Sequence, residues 1–355
     1  MNKINKNNFK ELSQIRNSKQ RMEDAKNQPE INQMLGFIWQ LNELHILFAD
    51  TGVGKSLIAV AAIDALTKGK KFLFLENQNP ALTALFYDFE LSDRQFKKRY
   101  TDDNGFEYDF SQRFYIDTID FAELITQNPK IEFVELLFEK IKYDIEVTKA
   151  DILVIDNLTF LSAQSSQDTQ VALEVMRRLN ELKKQFNLSI LVLAHTPKRF
   201  NSSPLTVNDL AGSKHISNFA DSVSALGKSE LGKNIRYWKQ VKPSRSGELI
   251  FDTGNVIVLE IEKQGAILTM KHNGFSSEWD HLKQETGNNE IPAKVYDVVR
   301  LLNENRSYAD IAAELSISKG TISKWKDKFP HLFVSVSNVS EEGTFGNEET
   351  GNVIK

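Results

Sequence analysis

Five short apolar runs constrain the fold of this chain more than any other feature: LHILF (44–48), KFLFL (71–75), LFYDF (85–89), DILVID (151–156) and SILVLAH (189–195). Runs this brief and this uniformly apolar suit strands buried on both faces by crossover helices. The intervening stretches supply those helices. Residues 55–67 are rich in Ala, Leu and Ile, while 132–146 and 171–186 mix apolar and charged positions at helical spacing. Strands alternating with helices predict an α/β fold, with a mostly parallel sheet and right-handed connections. After Leu249 the texture becomes IFDTGNVIVLEIEKQGAILTMK, β-rich with Gly turns, which predicts antiparallel strands closing the domain.

At 355 residues the chain is long enough for about two domains. The reading along it is a polar arm over 1–30, helical in part, then an α/β domain over 31–270. A linker follows over 271–290, then a small helical unit over 291–330 and a disordered polar tail over 331–355. Hydrophobic residues at 41% and charged residues at 26% exclude a largely disordered or collagen-like chain. No apolar run reaches the ~18 residues of a membrane span, and the polar N-terminus lacks the apolar stretch of a secretory signal, so the expected location is cytoplasmic with no membrane partner. Zero cysteines remove disulfides, zinc–cysteine sites and thiol nucleophiles together. The net charge of −4 means that any contact with nucleic acid must come from a local patch.

The strongest local signal is ADTGVGKS: Ala49, Asp50, Thr51, Gly52, Val53, Gly54, Lys55 and Ser56. It sits directly after an apolar strand and directly before an apolar helix, the context that a phosphate-binding loop requires. Small residues let successive backbone N–H groups curl around phosphates, the helix presents its positive end, and Lys55 reaches the β/γ oxygens of ATP. Ser56 supplies a hydroxyl to Mg²⁺. The first position of the usual pattern is Ala49 where glycine is customary, a mild departure because Gly52 and Gly54 remain. Asp156 ends DILVID at the C-terminal end of a buried strand and is a second metal-holding candidate, through the ion's water shell.

No acid follows Asp156, which is succeeded by Asn157 and Leu158; the acid nearest in kind is upstream, in FYDFELSDRQFKKRY (86–100), where Glu90 follows a strand and Asp88 is its rival. A catalytic glutamate on this separate strand resembles the RecA/DnaB family of ATPases, and the likeness extends to RepA-like hexameric helicases and related ATPases of mobile elements. It implies a RecA-like mostly parallel sheet flanked by helices, ATP and Mg²⁺ as cofactors, and Glu90 as the group polarising the attacking water. His195, at the end of SILVLAH, falls where the family has a polar residue sensing the γ-phosphate; the alternative is a structural histidine.

DLAGSKHISNFADSVSAL (209–226) resembles the segment in which a Gly-Ser turn opens a helix ending in Ala-Asp before a strand; Lys214 is its candidate DNA contact, with a solvated loop lysine as the alternative. RYWKQVKPSRSGEL (236–249) resembles the strand and loop carrying a Lys-x-Arg pair that reaches the neighbouring subunit's ATP. Arg245 matches the arginine, with an ordinary basic surface loop as the alternative for it and for Lys242. The lysine position falls on Pro243, so Lys242 fits only with a shift of one residue.

YADIAAELSISKGTISKWKDKF (308–329) has the rhythm of a helix-turn-helix. Ile311, Ala312 and Leu315 pack one helix, Ser316 lies in the turn, and Ile317, Ile322 and Trp325 bury the second. Ser318, Lys319, Thr321 and Lys324 lie on the opposite face, with hydroxyl and basic side chains suited to phosphates and base edges. Five basic residues against three acidic ones over 306–328 make that charge modest. The segment resembles the helix-turn-helix units of bacterial regulators, although a protein-docking helical pair has the same pattern. The combined expectation is a ring-forming, ATP-hydrolysing motor on DNA, a homo-oligomer working with other replication or mobilisation proteins. The alternatives are a DNA-binding regulator with an ATPase switch, or an ATP-dependent loader of another replication protein.

Overall fold

The computed structural model describes residues 15–27, 31–158, 168–197, 199, 201–210, 213–245, 247–283, 293–304, 306–329 and 332–333. The expected arm before residue 15, the last part of the expected linker (284–290) and the expected tail from 334 lie outside them. The chain divides into two compact units, Met1–Lys283 and Gln284–Lys355.

In the first unit an exposed helix, α1 (Ser18–Lys26), is closed at its start by a capping box between Asn17 and Gln20. A small antiparallel ribbon follows, β1 (Gln33–Leu35) and β2 (Trp39–Gln40). Then come β3 (Leu44–Ala49), α2 (Lys55–Thr67), β4 (Ala84–Asp88), α3 (Asp93–Arg99), β5 (Phe114–Asp117), α4 (Phe121–Gln127), α5 (Phe133–Thr148) and β6 (Ile152–Asp156). The rest is α6 (Asp168–Phe186), β7 (Ser189–His195), α7 (Ser213–Phe219), β8 (Ser222–Lys228), β9 (Ile235–Lys242), β10 (Val256–Gln264) and β11 (Ile267–Ser276).

Nine strands form one sheet in the order β11-β10-β9-β8-β3-β7-β6-β4-β5. Strands β8, β3, β7, β6, β4 and β5 run parallel, and β9, β10 and β11 extend the sheet antiparallel from β8. This is a RecA-like α/β arrangement. Alternate residues of the strands enter opposite cores. Leu44, Ile46 and Phe48 join Leu137 and Ile141 of α5 and Val175 and Leu179 of α6 on one face. Leu47 and Ala49 join Ile58 and Ile63 of α2, with Trp238 and Ile257, on the other.

Helix α2 is apolar on nearly every side because nearly every side is covered. The sheet lies beneath it, and Met270 of β11 closes over its N-terminal end, near Gly54. The antiparallel strands expected after Leu249 are therefore what seal the helix that follows the phosphate loop.

Two expectations about strands need correction. KFLFL is not a strand: Phe72 and Leu75 pair across a tight turn in which Leu73 takes a left-handed φ of 57°. Phe72 and Leu75 are buried, Leu75 against Gly36 of the β1–β2 ribbon, where Gly36 N donates to Glu76 O, while half-buried Phe74 packs on Phe251 and on His272 and Phe275 of β11. Conversely, β5 is a strand with no long apolar run to mark it. It is an edge strand with exposed Tyr115 and Ile116 flanked by half-buried Phe114 and Asp117, so its apolar signal is broken.

The first unit also continues past the expected boundary at 270. β11 runs to Ser276, and Glu278 beyond it is fully buried, its carboxylate 2.5 Å from Lys239 Nζ and accepting Leu205 N at 2.6 Å. Removing one partner strands a buried charge. Glu278→Ala should therefore destabilise the unit by about 3–5 kcal/mol in urea titrations. A chain ending at Lys283 should unfold cooperatively, whereas one ending at 270 should not.

The second unit holds α8 (Ala293–Asn303), α9 (Tyr308–Glu314) and α10 (Lys319–Lys328). Val295, Val298, Leu301, Ile311 and Ile322 form its core, with Trp325, Ile317 and Leu315 packed against it. Ser316 turns the chain between α9 and α10 with φ 52°, and Ser318 caps α10 by accepting Thr321 N at 3.0 Å.

Candidate functional site

Parallel register delivers the site residues to one edge of the sheet. Ala49 pairs with His195 across β3 and β7, and Asp88 pairs with Asp156 across β4 and β6. All four stand at the C-terminal ends of their strands, where open α/β sheets hold ligands.

The loop from Asp50 to Gly54 leaves β3 through two left-handed glycines, Gly52 at φ 73° and Gly54 at φ 115°. At Gly54 the positive φ is what demands glycine; a Cβ would stand 2.6 Å from Met270 Cε, the flexible end of a side chain that could move aside. Ala49 is the last residue of β3, in strand backbone that makes no demand for glycine at the first position of the motif, and its methyl is part of the core under α2. Its carbonyl accepts Lys55 Nζ at 3.0 Å and Thr196 N at 3.1 Å. The Lys55 ammonium also donates to Asp50 O at 3.2 Å. Burial pulls its pKa down, against the upward pull of Asp156, Glu90 and Asp50. A buried ammonium resting on loop carbonyls is poised to exchange them for phosphate oxygens.

Asp156 is 1% exposed, and neither carboxylate oxygen has a hydrogen-bond partner among the described residues. Burial pushes its pKa up to about 7, while the Ser56 hydroxyl and Lys55 beside it pull the other way and Glu90 and Asp88 add to the rise. A buried carboxylate without a donor, next to a serine hydroxyl, fits a divalent cation. Among the described residues no group of three or more His, Cys, Asp or Glu could cage a metal alone, so Asp156 and Ser56 would hold Mg²⁺ jointly with phosphate oxygens and water.

Glu90 lies on the loop after β4 with its side chain 42% exposed. Its Oε1 accepts from Asn157 Nδ2 and lies 3.5 Å from His195 Nε2. The contact with His195, then that with Asn157, holds its pKa low against a partial burial that raises it. His195 Nδ1 is 3.1 Å from Lys55 Nζ. An ammonium only donates, so Nδ1 accepts in that contact, while Nε2 stands 3.0 Å from Asn157 Nδ2 and 3.5 Å from Glu90 Oε1. Lys55, His195 and Glu90 thus form one connected chain. Asp88, the rival acid, is buried, and its Oδ1 accepts Glu90 N at 2.9 Å and Leu91 N at 3.0 Å. It shapes the turn that carries Glu90.

Other expected residues lie elsewhere. The Arg245 guanidinium is 72% exposed and pairs with Asp221 at 2.9 Å. Asp221 is tied through its own backbone and carboxylate to Leu44, the first residue of β3. Arg245 is therefore at the opposite edge of the sheet from its own phosphate loop, roughly 16 Å away along the strand. Lys242 donates to Ser217 O and Ala220 O, closing the end of α7. Lys214 is in α7, and its side chain lies outside the described residues. His45 is not a site residue: it is fully buried between Ser222 and Ser224, and burial pushes its pKa down to about 3.

Two residues of the site carry no mark in the sequence. Asn157 is one. Arg236 of β9 is the other: it donates to Val53 O at 2.7 Å and so braces the phosphate loop from the antiparallel edge. Only the tertiary fold brings it there, since nothing in RYWKQVK marks it. Beside the loop a cavity of about 500 Å³ is lined by Asp50–Val53 together with Thr196, Lys228, Asn234, Arg236 and Tyr237.

Fold and site together define a P-loop ATPase domain. The sequence profile described as "AAA domain" matches residues 11–200, and the chain belongs to that family. The matched span includes Lys55, Glu90, Asp156 and His195. Among solved structures, a KaiC-like protein from the hyperthermophilic archaeon Pyrococcus horikoshii is similar at 12% identity and a TM-score of 0.46, covering 68% of this chain and 99% of that one. No curated protein matches this sequence. Among the described residues no helix is long and apolar enough to cross a membrane.

The buried Asp156 carboxylate makes stability depend on pH when Mg²⁺ is absent. Folding raises its pKa from 3.8 to about 7, so between those values the native chain keeps a proton that the unfolded chain has released. Stability from this group therefore falls as pH rises through that window. Asp156→Asn, which cannot ionise, should show a flatter urea-midpoint profile from pH 4 to 7 and exceed the wild type above it. Parallel profiles would show that the carboxylate is not buried as described.

Proposed function

We propose that this chain hydrolyses ATP with Mg²⁺ and works as a ring-forming motor on DNA, a RepA-like helicase or a replication or mobilisation ATPase of a mobile element. The convergence of Lys55, Asp156, Glu90 and His195 at one sheet edge carries the hydrolytic part. Loop N–H groups and Lys55 bind the phosphates, and the cavity braced by Arg236 takes the rest of the nucleotide. Mg²⁺ bound at Asp156 and Ser56 would neutralise charge on the phosphate oxygens. Glu90 accepts a proton from the attacking water, and His195 reports the γ-phosphate to it.

Lys55→Ala should abolish nucleotide binding, since it removes a ground-state contact. Glu90→Gln should bind ATP normally and lose about 10²–10⁴-fold in turnover. A Glu90→Gln enzyme at the wild-type rate, with Asp88→Asn inactive, would move the base to Asp88.

The position of Arg245 supports the ring. A guanidinium at the far edge is out of reach of its own phosphates, and in this reading it serves a neighbour's ATP, where it would stabilise developing charge. Arg245→Ala mixed with Glu90→Gln should then recover activity that neither has alone. An ultracentrifuge species that is monomeric and fully active at every dilution would defeat this.

The three-helix second unit supports the DNA part. Lys319 and Lys324 are exposed on α10, with Ser318 at its cap and Thr321 in its first turn, while Ile322 faces the core. In this reading α10 enters a groove and Lys214 adds a contact from the first unit. Replacing Lys319 and Lys324 with Ala should weaken duplex binding and flatten its salt dependence. ATP-driven strand displacement on a forked duplex supports the motor. Tight duplex binding without displacement would favour a regulator with an ATPase switch.

A further inference from the structure

Glu90 is held at two points, and only one of them is backbone. Asp88 fixes the turn through the amides of Glu90 and Leu91, yet this leaves the torsions of a half-exposed glutamate side chain free. Its far end is fixed by Asn157, whose Nδ2 donates to Glu90 Oε1 and stands 3.0 Å from His195 Nε2. Asn157 can do this because it is 4% exposed and follows β6 directly, packed at the strand end beside Asp156.

The residue type also matters. An amide donates to the carboxylate without adding charge. An aspartate of the same shape could not donate while ionised, and would place another negative group beside Glu90 and Asp156.

We propose that Asn157 is a positioning residue for hydrolysis: its amide clamps the Glu90 carboxylate against His195, so that the base, the histidine and Lys55 move as one unit. The proposal rests on the reading of Glu90 as the base. A general base gains its advantage only within hydrogen-bond reach of the attacking water, and small misplacements are costly. Asn157 touches no phosphate in this scheme, so its loss should fall on turnover and not on nucleotide affinity.

The test uses the full-length chain and measures ATP turnover, KM and nucleotide Kd for Asn157→Ala and the isosteric Asn157→Asp, each alone and combined with Glu90→Gln. Both single variants should lose about 10–100-fold in kcat, with Kd changed by less than about threefold, which also shows that the fold is intact. In the Glu90→Gln background the further loss should be less than about twofold, because the carboxylate being positioned is gone. If Asn157→Ala lowers kcat equally in both backgrounds, or weakens Kd in step with kcat, Asn157 is a structural cap and the proposal fails. Should Asn157→Ala not fold, the isosteric aspartate carries the same comparison. A wild type that binds ATP without turning it over, or a Glu90→Gln enzyme as active as the wild type, overturns the base assignment and this inference with it. Normal behaviour of both together with an insensitive Asn157 overturns this inference alone.

Discussion

A parallel strand buried on both faces cannot slip by one residue, because the slip would exchange every side chain between the two cores. In β3, β7, β6 and β4 this rigidity sets the level at which Ala49, His195, Asp156 and Asp88 end. The same requirement that pairs Leu44, Ile46 and Phe48 with α5 and α6, and Leu47 with α2, therefore aligns the strand termini into a site. Chemistry at the edge is a by-product of packing in the middle.

At that edge the unfavourable electrostatics are informative. Asp156 is buried without a donor, and Lys55 is buried on carbonyls. Each costs stability in isolation. Both would be relieved by the same incoming species, a nucleotide carrying a divalent cation. The contrast with Lys239 and Glu278, which satisfy each other and the backbone of Leu205, separates a structural ion pair from a waiting one.

The antiparallel half of the sheet serves the site indirectly. Arg236 holds the carbonyl of Val53, and Met270 closes on Gly54, so β9 and β11 brace a loop encoded far upstream. Arg245 leaves the same half at the other edge, paired with Asp221. The chain thus presents a phosphate loop at one end of the sheet and an exposed guanidinium at the other.

The sequence by itself was enough for the alternation of strands and helices, the phosphate loop and the strand-end acids. Each is a local pattern: an apolar run, a glycine spacing or a carboxylate at the end of a run reflects forces acting within a few residues. Helix 55–67 was legible to the residue for that reason. KFLFL misled because apolarity reports burial and not pairing, and β5 hid because an edge strand needs little burial. Choosing Glu90 over Asp88 as the acid facing Lys55 and His195, finding Asn157 between them, and bringing Arg236 to the loop all depend on side chains distant in sequence meeting in space. Only the tertiary structure decides these, because hydrogen-bond geometry across strands leaves no periodic trace in the chain.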